Sequence, residues 1–371
     1  MSESGAPPGP YPPGPGQYRP ARPPPPPPPP PPSGGASPPG AHPPPPGAYP
    51  PPPGAWYPYG PASGRYRPTP RGFRAPVGEP RPYHQLQRSP TYRWWRPVVS
   101  LAVGVAVTLV AGVVAAILIG AVAAAVGGSA SETSLTKGPG GFLAGNLLIA
   151  LGTPVAMAAV AAGFLRPPGW LVSVELRPRW DWAARVSGLL VVWAVVGWLV
   201  WSLLAGWPGT GGDNALLLIV VCLLTTPFQA AGEEFLMRGW ITQSVGAWFS
   251  RPLPGAVVAG LVSATVFALL HGTQNAWLFG DRFVFGLVAS YLVWRTGGLE
   301  ASIALHAISN ISSIIPAALE GSLDDALTLT SAPVGTVVLD VVMLLVAAFV
   351  VVRLARRRAV VRLGPVGSVA S

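Results

Sequence analysis

Seven side chains that can exchange protons or donate hydrogen bonds lie inside apolar stretches of this 371-residue chain. They are Glu233, Glu234, Arg238, His271, His306, Asn310 and Asp340. A charged or polar group in the hydrocarbon core of a bilayer costs free energy, so such residues are candidates for function. Carboxylate and imidazole groups can exchange protons with water, and imidazole or amide N–H groups can stabilise an oxyanion. The set therefore predicts acid–base chemistry inside or next to a membrane.

Helical spacing assigns several of these residues to faces. Glu234 and Arg238 are four residues apart, so they lie on one face and can form an ion pair. Glu233 is rotated by about 100° from Glu234 and can face a different cavity. His306 and Asn310 are also four residues apart and share a face. Spacing alone thus predicts one charge-compensated pair beside a carboxylate that has no such neighbour.

The depth of these groups gives a further expectation. Glu233 lies 19 residues before Pro252 and His271 lies 19 residues after it. In an antiparallel hairpin the two residues come level, about 28 Å from the turn. Because this is too deep for a turn at the membrane surface, residues 240–250 are expected to project into the cytoplasm or bend into the interface. With His306 roughly 14 Å deep in its own span, the three groups are expected to meet in one cytoplasm-facing cavity.

The elements that must position these residues are membrane helices. Half of the residues are apolar, only 10% are charged and the mean hydropathy is +0.44. Because a spanning helix needs about 20 mostly apolar residues, we predict an all-α polytopic bundle of about eight transmembrane helices between residues 98 and 352. The predicted spans are 98–126, 142–165, 184–207, 215–237, 254–271, 282–295, 299–318 and 334–352.

Arginines lie beside alternate ends of these spans, from Arg88 before the first to Arg362 after the eighth. By the positive-inside rule this distribution predicts a multi-pass protein of the cytoplasmic membrane with both termini in the cytoplasm. The net charge of +10 lies mostly in the terminal regions and beside the spans, so it gives no reason to expect nucleic acid as a partner. The residue composition resembles that of a GC-rich bacterial coding sequence.

Two tails are predicted to flank the helices. Residues 1–93 are rich in Pro, Gly and Arg and include ten consecutive prolines, Pro23 to Pro32, so a disordered polyproline-type segment is expected. This tail can serve as a docking arm for a partner that binds Pro-rich motifs, as a contact with anionic lipid, or as a solvated spacer. Residues 353–371 form a basic C-terminal tail.

Three short motifs occur in order on three successive apolar regions. They are Glu-Glu-x-x-x-Arg at Glu233, Glu234 and Arg238, Phe-x-x-x-His at Phe267 and His271, and His-x-x-x-Asn at His306 and Asn310. This combination resembles the CPBP, or ABI, family of intramembrane proteases, which contains the type II CAAX prenyl endopeptidases and the bacteriocin-processing and immunity proteins. The resemblance covers about residues 215–315 and implies an eight-helix core. The Pro-rich tail is not part of the family pattern.

The resemblance also implies roles for the residues. Glu233 would be the general base that activates water, while His271, His306 and Asn310 would hold the water and stabilise the oxyanion. The resulting expectation is an endopeptidase that cleaves a membrane protein or a lipidated or hydrophobic peptide at the bilayer.

The remaining polar residues receive supporting roles. The resemblance makes Glu234 and Arg238 a supporting pair, and Phe267 is four residues before His271, so its ring can wall the imidazole's cavity. Asp340 lies outside the family pattern, and we expect it to be a structural partner of another polar helix face. The single cysteine, Cys222, gives little support to a thiol mechanism.

The sequence is compatible with a metal-dependent and with a metal-free reaction. Glu233, His271 and His306 could together form a catalytic zinc site with one open position. However, neither His-Glu-x-x-His nor His-x-x-x-His is present, so no two ligands have the usual helical spacing. Of the two alternatives, a bound divalent metal or none, we favour a metal-free, glutamate-dependent reaction.

Two other function classes are compatible with the same residues. A proton-coupled transporter also uses Glu and His inside the membrane, although it predicts internal repeats that the sequence does not clearly contain. A non-catalytic scaffold or bacteriocin-immunity protein would keep the motifs for stability alone.

Overall fold

A computed structural model describes residues 80–88, 92–125, 138–207 and 209–364. Residues 1–79 of the predicted tail lie outside the described residues. Two short strands, β1 (Arg81–Pro82) and β2 (Leu363–Gly364), flank the helices, and a single 3-10 turn (Tyr83–Gln85) follows β1. The α-helices are α1 (Arg96–Ala125), α2 (Gly138–Ala150), α3 (Gly152–Phe164), α4 (Gly169–Val172), α5 (Trp180–Ala205), α6 (Ala215–Glu234), α7 (Thr242–Gly246), α8 (Pro252–Leu269), α9 (Ala276–Thr296), α10 (Glu300–Glu320), α11 (Leu323–Leu327) and α12 (Val334–Arg357).

The predicted all-α membrane bundle is confirmed, because the described chain contains eight helical stretches long and apolar enough to cross a membrane. Two of them are composite: α2 and α3 form one stretch, and α6, a π-helix (Phe235–Ile241) and α7 form another. The sixth stretch is longer than predicted. It begins at Ala276 because the Asn275 side chain caps it by accepting a hydrogen bond from the Leu278 N–H at 2.9 Å.

Two glycines bring the second and fourth spans into close contact beside the predicted site. A Cβ atom on Gly232 would lie 2.3 Å from the Ile149 carbonyl oxygen, and one on Gly152 would lie 2.6 Å from the Gly232 carbonyl oxygen. Only residues without a side chain allow two helix backbones to approach this closely. Gly232 immediately precedes Glu233, so this crossing fixes the position of the helix segment that carries the candidate base.

The fourth span widens into the π-helix directly after Glu234. One π-type turn inside a helix often occurs at a functional site, because it shifts the register of the residues on either side. The chain then continues as α7, and residues 237–247 are all buried. The expectation that residues 240–250 leave the bundle is therefore wrong for most of this segment; only the turn after Ala247 reaches the surface.

Two described segments, residues 81–88 and β2, pack against the end of the bundle that holds the α7–α8 turn. β1 and β2 pair antiparallel, with Arg81 opposite Gly364. The Tyr83 hydroxyl donates to the Leu171 carbonyl oxygen, the Gln85 amide donates to the Phe249 carbonyl oxygen at 2.7 Å, and the Gln87 amide donates to Gln243 Oε1 at 2.6 Å.

These contacts correct both predicted tail boundaries. Residues 81–88 belong to the packed domain rather than to a tail that ends at residue 93. At the other terminus, α12 runs to Arg357 and β2 follows it, so the packed chain extends beyond the predicted boundary at residue 353.

A buried ion pair stabilises the same end of the bundle. The Arg179 guanidinium donates to Glu300 Oε1 at 2.8 Å through Nε and to Glu300 Oε2 at 2.5 Å through one terminal nitrogen. Its other terminal nitrogen donates to the carbonyl oxygens of Thr296 and Val361. We call this region, comprising residues 81–88, residues 170–179, α7 and β2, the closed end.

Candidate active site

Glu233 is the carboxylate with access to the outside of the bundle. Its side chain is 19% exposed, whereas Glu234 and Arg238 are completely buried. Glu233 Oε1 accepts a hydrogen bond from the Gln229 amide, one helical turn earlier. The side-chain oxygen of Gln229, Oε1, in turn accepts a hydrogen bond from Asn310 Nδ2 at 3.0 Å. A chain of two amides thus joins α10 to the candidate base.

His306 lies between the two glutamates. Its Nδ1 is 2.9 Å from Glu234 Oε1, and its Nε2 is 3.8 Å from Glu233 Oε2. Glu234 Oε1 also accepts from Arg238 at 2.7 Å, so this oxygen is an acceptor and His306 Nδ1 must donate to it. In the neutral ring the lone pair is therefore on Nε2 and faces Glu233. Because 3.8 Å is too long for a direct hydrogen bond, a water molecule can serve both groups.

Two phenylalanine rings form the apolar side of the site. Phe267 and Phe285 stack with centroids 5.6 Å apart, and the Arg238 guanidinium lies 4.5 Å from the Phe267 centroid. The His306 ring packs edge-on against Phe285 at 4.9 Å. These contacts exclude water from the Glu234–Arg238 pair and hold the imidazole in one orientation.

His271 lies just beyond the end of α8. Its Nδ1 is 2.8 Å from the Phe267 carbonyl oxygen, which can only accept, so Nδ1 is the donor. The residue is exposed, but its ring packs edge-on against Phe267 with centroids 4.7 Å apart. Burial of the ring lowers the pKa of His271, and the bond to the Phe267 carbonyl and the negative charge of Glu233 oppose this shift. In the neutral form of His271 the lone pair is therefore on Nε2.

Exposure changes sharply from one end of the site to the other. Along α10, residues 304–308 are buried, whereas residues 309–312 are half-buried and Ser313 is exposed. Residues 271–273 are exposed as well, while residues 237–247 on the opposite side of Glu233 are buried. We call residues 271–275 and 309–313 the open end. The predicted meeting of polar groups is found, but their exposed side is opposite the α7–α8 turn, where the cavity was expected.

The comparison with protein families agrees with this arrangement of motifs. Residues 214–312 match the family model "Type II CAAX prenyl endopeptidase Rce1-like". The chain is thus similar to this family over residues 214–312. All seven motif residues lie within the matched range, as do the Gln229 and Phe285 side chains that contact them.

One curated relative matches part of the same chain. The uncharacterized protein YyaK of Bacillus subtilis (strain 168) is 31% identical over 96 residues, which are 25% of this chain and 32% of YyaK. The chain thus covers about one third of the length of this relative. No solved structure matches the chain.

The site also has residues that the sequence motifs did not single out. Gln229 contacts Glu233, and its position one turn earlier inside an apolar span was an available signal. Phe285 had no such signal, since it lies in another helix and reaches Phe267 and His306 only through the packing of α8, α9 and α10.

The predicted zinc ligands are Glu233, His271 and His306. Among the residues that the structure describes, no three His, Cys, Asp or Glu side chains are placed to hold a metal ion. His306 directs Nδ1 to Glu234 and His271 directs Nδ1 to a backbone carbonyl. Both rings thus keep Nε2 free, as histidines that bind a metal do, although Glu233, His271 and His306 are not placed in this structure as a group that could hold an ion.

Asp340 lies on α12, outside the residues that the family model matches. Its carboxyl group lies close enough to that of Asp281 on α9 for the two groups to interact.

Proposed function

We propose that the protein is a membrane endopeptidase in which Glu233 activates the attacking water. The observation that carries this proposal is the contrast between two adjacent carboxylates: Glu233 is partly exposed beside the free Nε2 of His306, and Glu234 is sealed in an ion pair. A general base must reach its proton from a position open to the substrate. Glu233 meets that requirement and Glu234 does not.

The reaction begins with a water held between Glu233 and His306 Nε2. Glu233 takes one proton as the water oxygen bonds to the carbonyl carbon of the scissile peptide, and the carbonyl π electrons move to its oxygen. Asn310 uses one N–H on Gln229, so its second N–H is free to donate to that oxyanion.

Collapse of the tetrahedral intermediate completes the reaction. The carbonyl forms again, the C–N bond breaks, and the protonated Glu233 returns its proton to the departing nitrogen, so the carboxylate is regenerated. Neutral His271, with its lone pair on Nε2, accepts a hydrogen bond from substrate or water at the open end. Glu234 acts by holding the His306 ring, and no step in this scheme uses a metal.

The substrate class follows from where the site lies. We propose a membrane protein or a lipidated or hydrophobic peptide, bound at the bilayer of the cytoplasmic membrane. The arginines beside the span ends support a location of both termini in the cytoplasm, by the positive-inside rule. The Pro-rich tail would then be available there to a partner that binds Pro-rich motifs.

The test compares the N- and C-termini of membrane proteins in cells that express the wild type, Glu233→Gln or Glu320→Gln at equal levels. Glu320 is exposed at the end of α10, so its change to Gln is a matched control. We expect certain termini with the wild type and Glu320→Gln that are absent with Glu233→Gln. Identical termini in all three would contradict the proposal and leave the scaffold and transporter alternatives. A repeat with a chelator tests the metal-free reaction, which loss of cleavage would exclude.

A further inference from the structure

Two span ends meet at one surface of the bundle, and each carries an arginine. Arg96 is the first residue of α1, and Arg166 lies two residues after the end of α3. The two helices cross closely beside them, since a Cβ atom on Gly163 would overlap the Ser100 side chain. Because both arginines stand at the ends of candidate spans, they lie at the depth of the lipid headgroups, whichever side of the membrane this surface faces.

Contacts within the protein hold the two guanidinium groups near each other. Arg96 donates to the Phe164 carbonyl oxygen at 3.2 Å, and Phe164 is two residues before Arg166 in the chain. The Arg166 guanidinium lies 4.5 Å from the centroid of the Trp170 ring, which restrains it. Burial lowers the pKa of Arg166, and the positive charge of Arg96 lowers it further. Two like charges are thus held close enough to repel each other.

The part of the chain that supplies these arginines is nearly free of acidic residues. Between Arg81 and Val174 the sequence contains one, Glu132, which follows the first span, whereas Arg96 begins it. The bond of Arg96 to a backbone carbonyl oxygen brings no negative charge to the pair. An anionic group bound between Arg96 and Arg166 would offset their repulsion, so the pair has the charge of an anion site.

The surroundings of the pair are those of a membrane interface. Trp94 and Trp95 precede Arg96 and are exposed, as aromatic residues at the level of the headgroups commonly are. Val98 and Leu165 are exposed apolar residues next to the two arginines, where acyl chains can lie. Basic pockets between transmembrane helices bind the headgroups of acidic phospholipids, and a guanidinium group can donate two parallel hydrogen bonds to a phosphate.

We propose that Arg96 and Arg166 bind the phosphate group of an anionic phospholipid. Each of the two neighbouring spans supplies one guanidinium group to the phosphate oxygens, and the Trp95 ring lies 5.9 Å from that of Arg96. The headgroup carries a net negative charge, as in phosphatidylglycerol, because a zwitterionic headgroup adds a cation that the pair repels. A free phosphate ion has the same oxygen atoms but no acyl chains for the apolar surface. The proposal does not depend on the endopeptidase reaction.

Binding of lipid to the full chain tests this proposal. The protein is purified in a neutral detergent, and native mass spectrometry measures the affinity for the first bound molecule of phosphatidylglycerol or of phosphatidylcholine with the same acyl chains. Arg96→Gln/Arg166→Gln is compared with Arg356→Gln/Arg357→Gln, which removes two exposed arginines at another span end. This matched control accounts for the general attraction of positive charge to anionic lipid.

We expect the wild type and the control variant to bind phosphatidylglycerol about thirtyfold more tightly than phosphatidylcholine, and Arg96→Gln/Arg166→Gln to lose this preference. Equal affinities for the two lipids in the wild type, or the same loss in both double variants, would overturn the proposal.

A single substitution keeps the test decisive if Arg96→Gln/Arg166→Gln does not fold. Arg166→Gln leaves the bond of Arg96 to Phe164 in place, and it should reduce the preference for phosphatidylglycerol about fivefold. An undiminished preference in folded Arg166→Gln would also overturn the proposal.

Inorganic phosphate distinguishes a lipid from a soluble ligand with the same oxygen atoms. Phosphatidylglycerol should raise the midpoint of thermal unfolding of the wild type more than that of Arg166→Gln, because a ligand that binds the folded chain stabilises it. Inorganic phosphate without lipid should leave the midpoint unchanged. A rise with inorganic phosphate that Arg166→Gln abolishes would overturn the assignment to a lipid.

Discussion

Two buried Arg–Glu pairs in this protein have the same chemistry and different surroundings. At the closed end, Arg179 uses Nε and both terminal nitrogens in hydrogen bonds to Glu300 and two carbonyl oxygens. In the site, Arg238 makes one hydrogen bond to Glu234, and its Nε and second terminal nitrogen have no hydrogen-bond partner. Glu234 Oε2 is also unpaired, and its other oxygen is shared with His306.

This difference separates a pair that stabilises from a pair that positions. A fully hydrogen-bonded buried pair recovers much of the cost of removing its charges from water. The pair in the site recovers less, because the Phe267 and Phe285 rings replace polar partners around the guanidinium. What the site pair provides instead is a fixed acceptor that orients the His306 ring toward Glu233.

Replacing each arginine by lysine should affect the two pairs differently. Lysine keeps the charge but loses the planar set of donors, so Arg179→Lys is expected to lower the free energy of unfolding by about 3 kcal/mol and Arg238→Lys by about 1 kcal/mol. Thermal unfolding in detergent measures both. Cleavage per folded molecule should fall about tenfold for Arg238→Lys only. Equal losses of stability would show that hydrogen-bond number does not distinguish the pairs.

Two glutamines sharpen the same contrast. Gln243 at the closed end donates to the Trp170 carbonyl oxygen at 2.7 Å and accepts from Gln87, so Gln243→Leu should cost about 2 kcal/mol of stability. Gln229→Leu removes the side-chain amide that bonds to both Asn310 and Glu233, and it should lower kcat about tenfold with little change in KM. If Gln229→Leu instead destabilises the protein and leaves kcat unchanged, the amide is structural.

Acidification should lower the free energy of unfolding by less than the substitutions above, through His84 at the closed end. Burial lowers the pKa of His84 to about 4, and its bond to the Pro252 carbonyl only partly opposes this. Below the unfolded pKa of about 6.5 the unfolded chain binds a proton that the folded chain does not, so stability falls as the pH decreases toward 4. At pH 5.5 the loss relative to pH 7 should be about 1 kcal/mol.

Unfolding at the two pH values checks this expectation. His84→Gln can still donate to Pro252 and should lack this part of the pH dependence. If the free energy of unfolding depends on pH in the same way in wild type and variant, protonation of His84 is not the cause of the destabilisation.

Much of the fold could be predicted because the bilayer acts on each span separately. Eight apolar runs were sufficient to predict the eight candidate spans. The predictions from sequence were wrong where contacts with other parts of the chain determine the local structure. Residues 81–88 appeared to belong to a polar tail until β2, Leu171 and Gln243 gave them partners. The sixth span appeared short because Asp281 and Arg282 interrupt its apolar run, yet the helix includes both.

For the candidate site, too, some features could be predicted from sequence and others depend on the packing of the helices. Residue type and helical spacing already singled out the Glu234–Arg238 pair, and their order along the chain supported the family resemblance. Neither could reveal that His306 contacts Glu234 rather than Glu233 at hydrogen-bond distance, or that Phe285 completes the aromatic wall. Both contacts join residues on different helices, so they depend on how the helices pack.

The sequence by itself determined the number of spans, the residues inside them and the distribution of arginines, because hydrophobicity and charge act on each segment independently of its neighbours. Only the tertiary structure decided which carboxylate is sealed and which is accessible. Those properties depend on close helix contacts such as that of Gly152 with Gly232, and on a terminal segment that packs against residues more than 150 positions away in the chain.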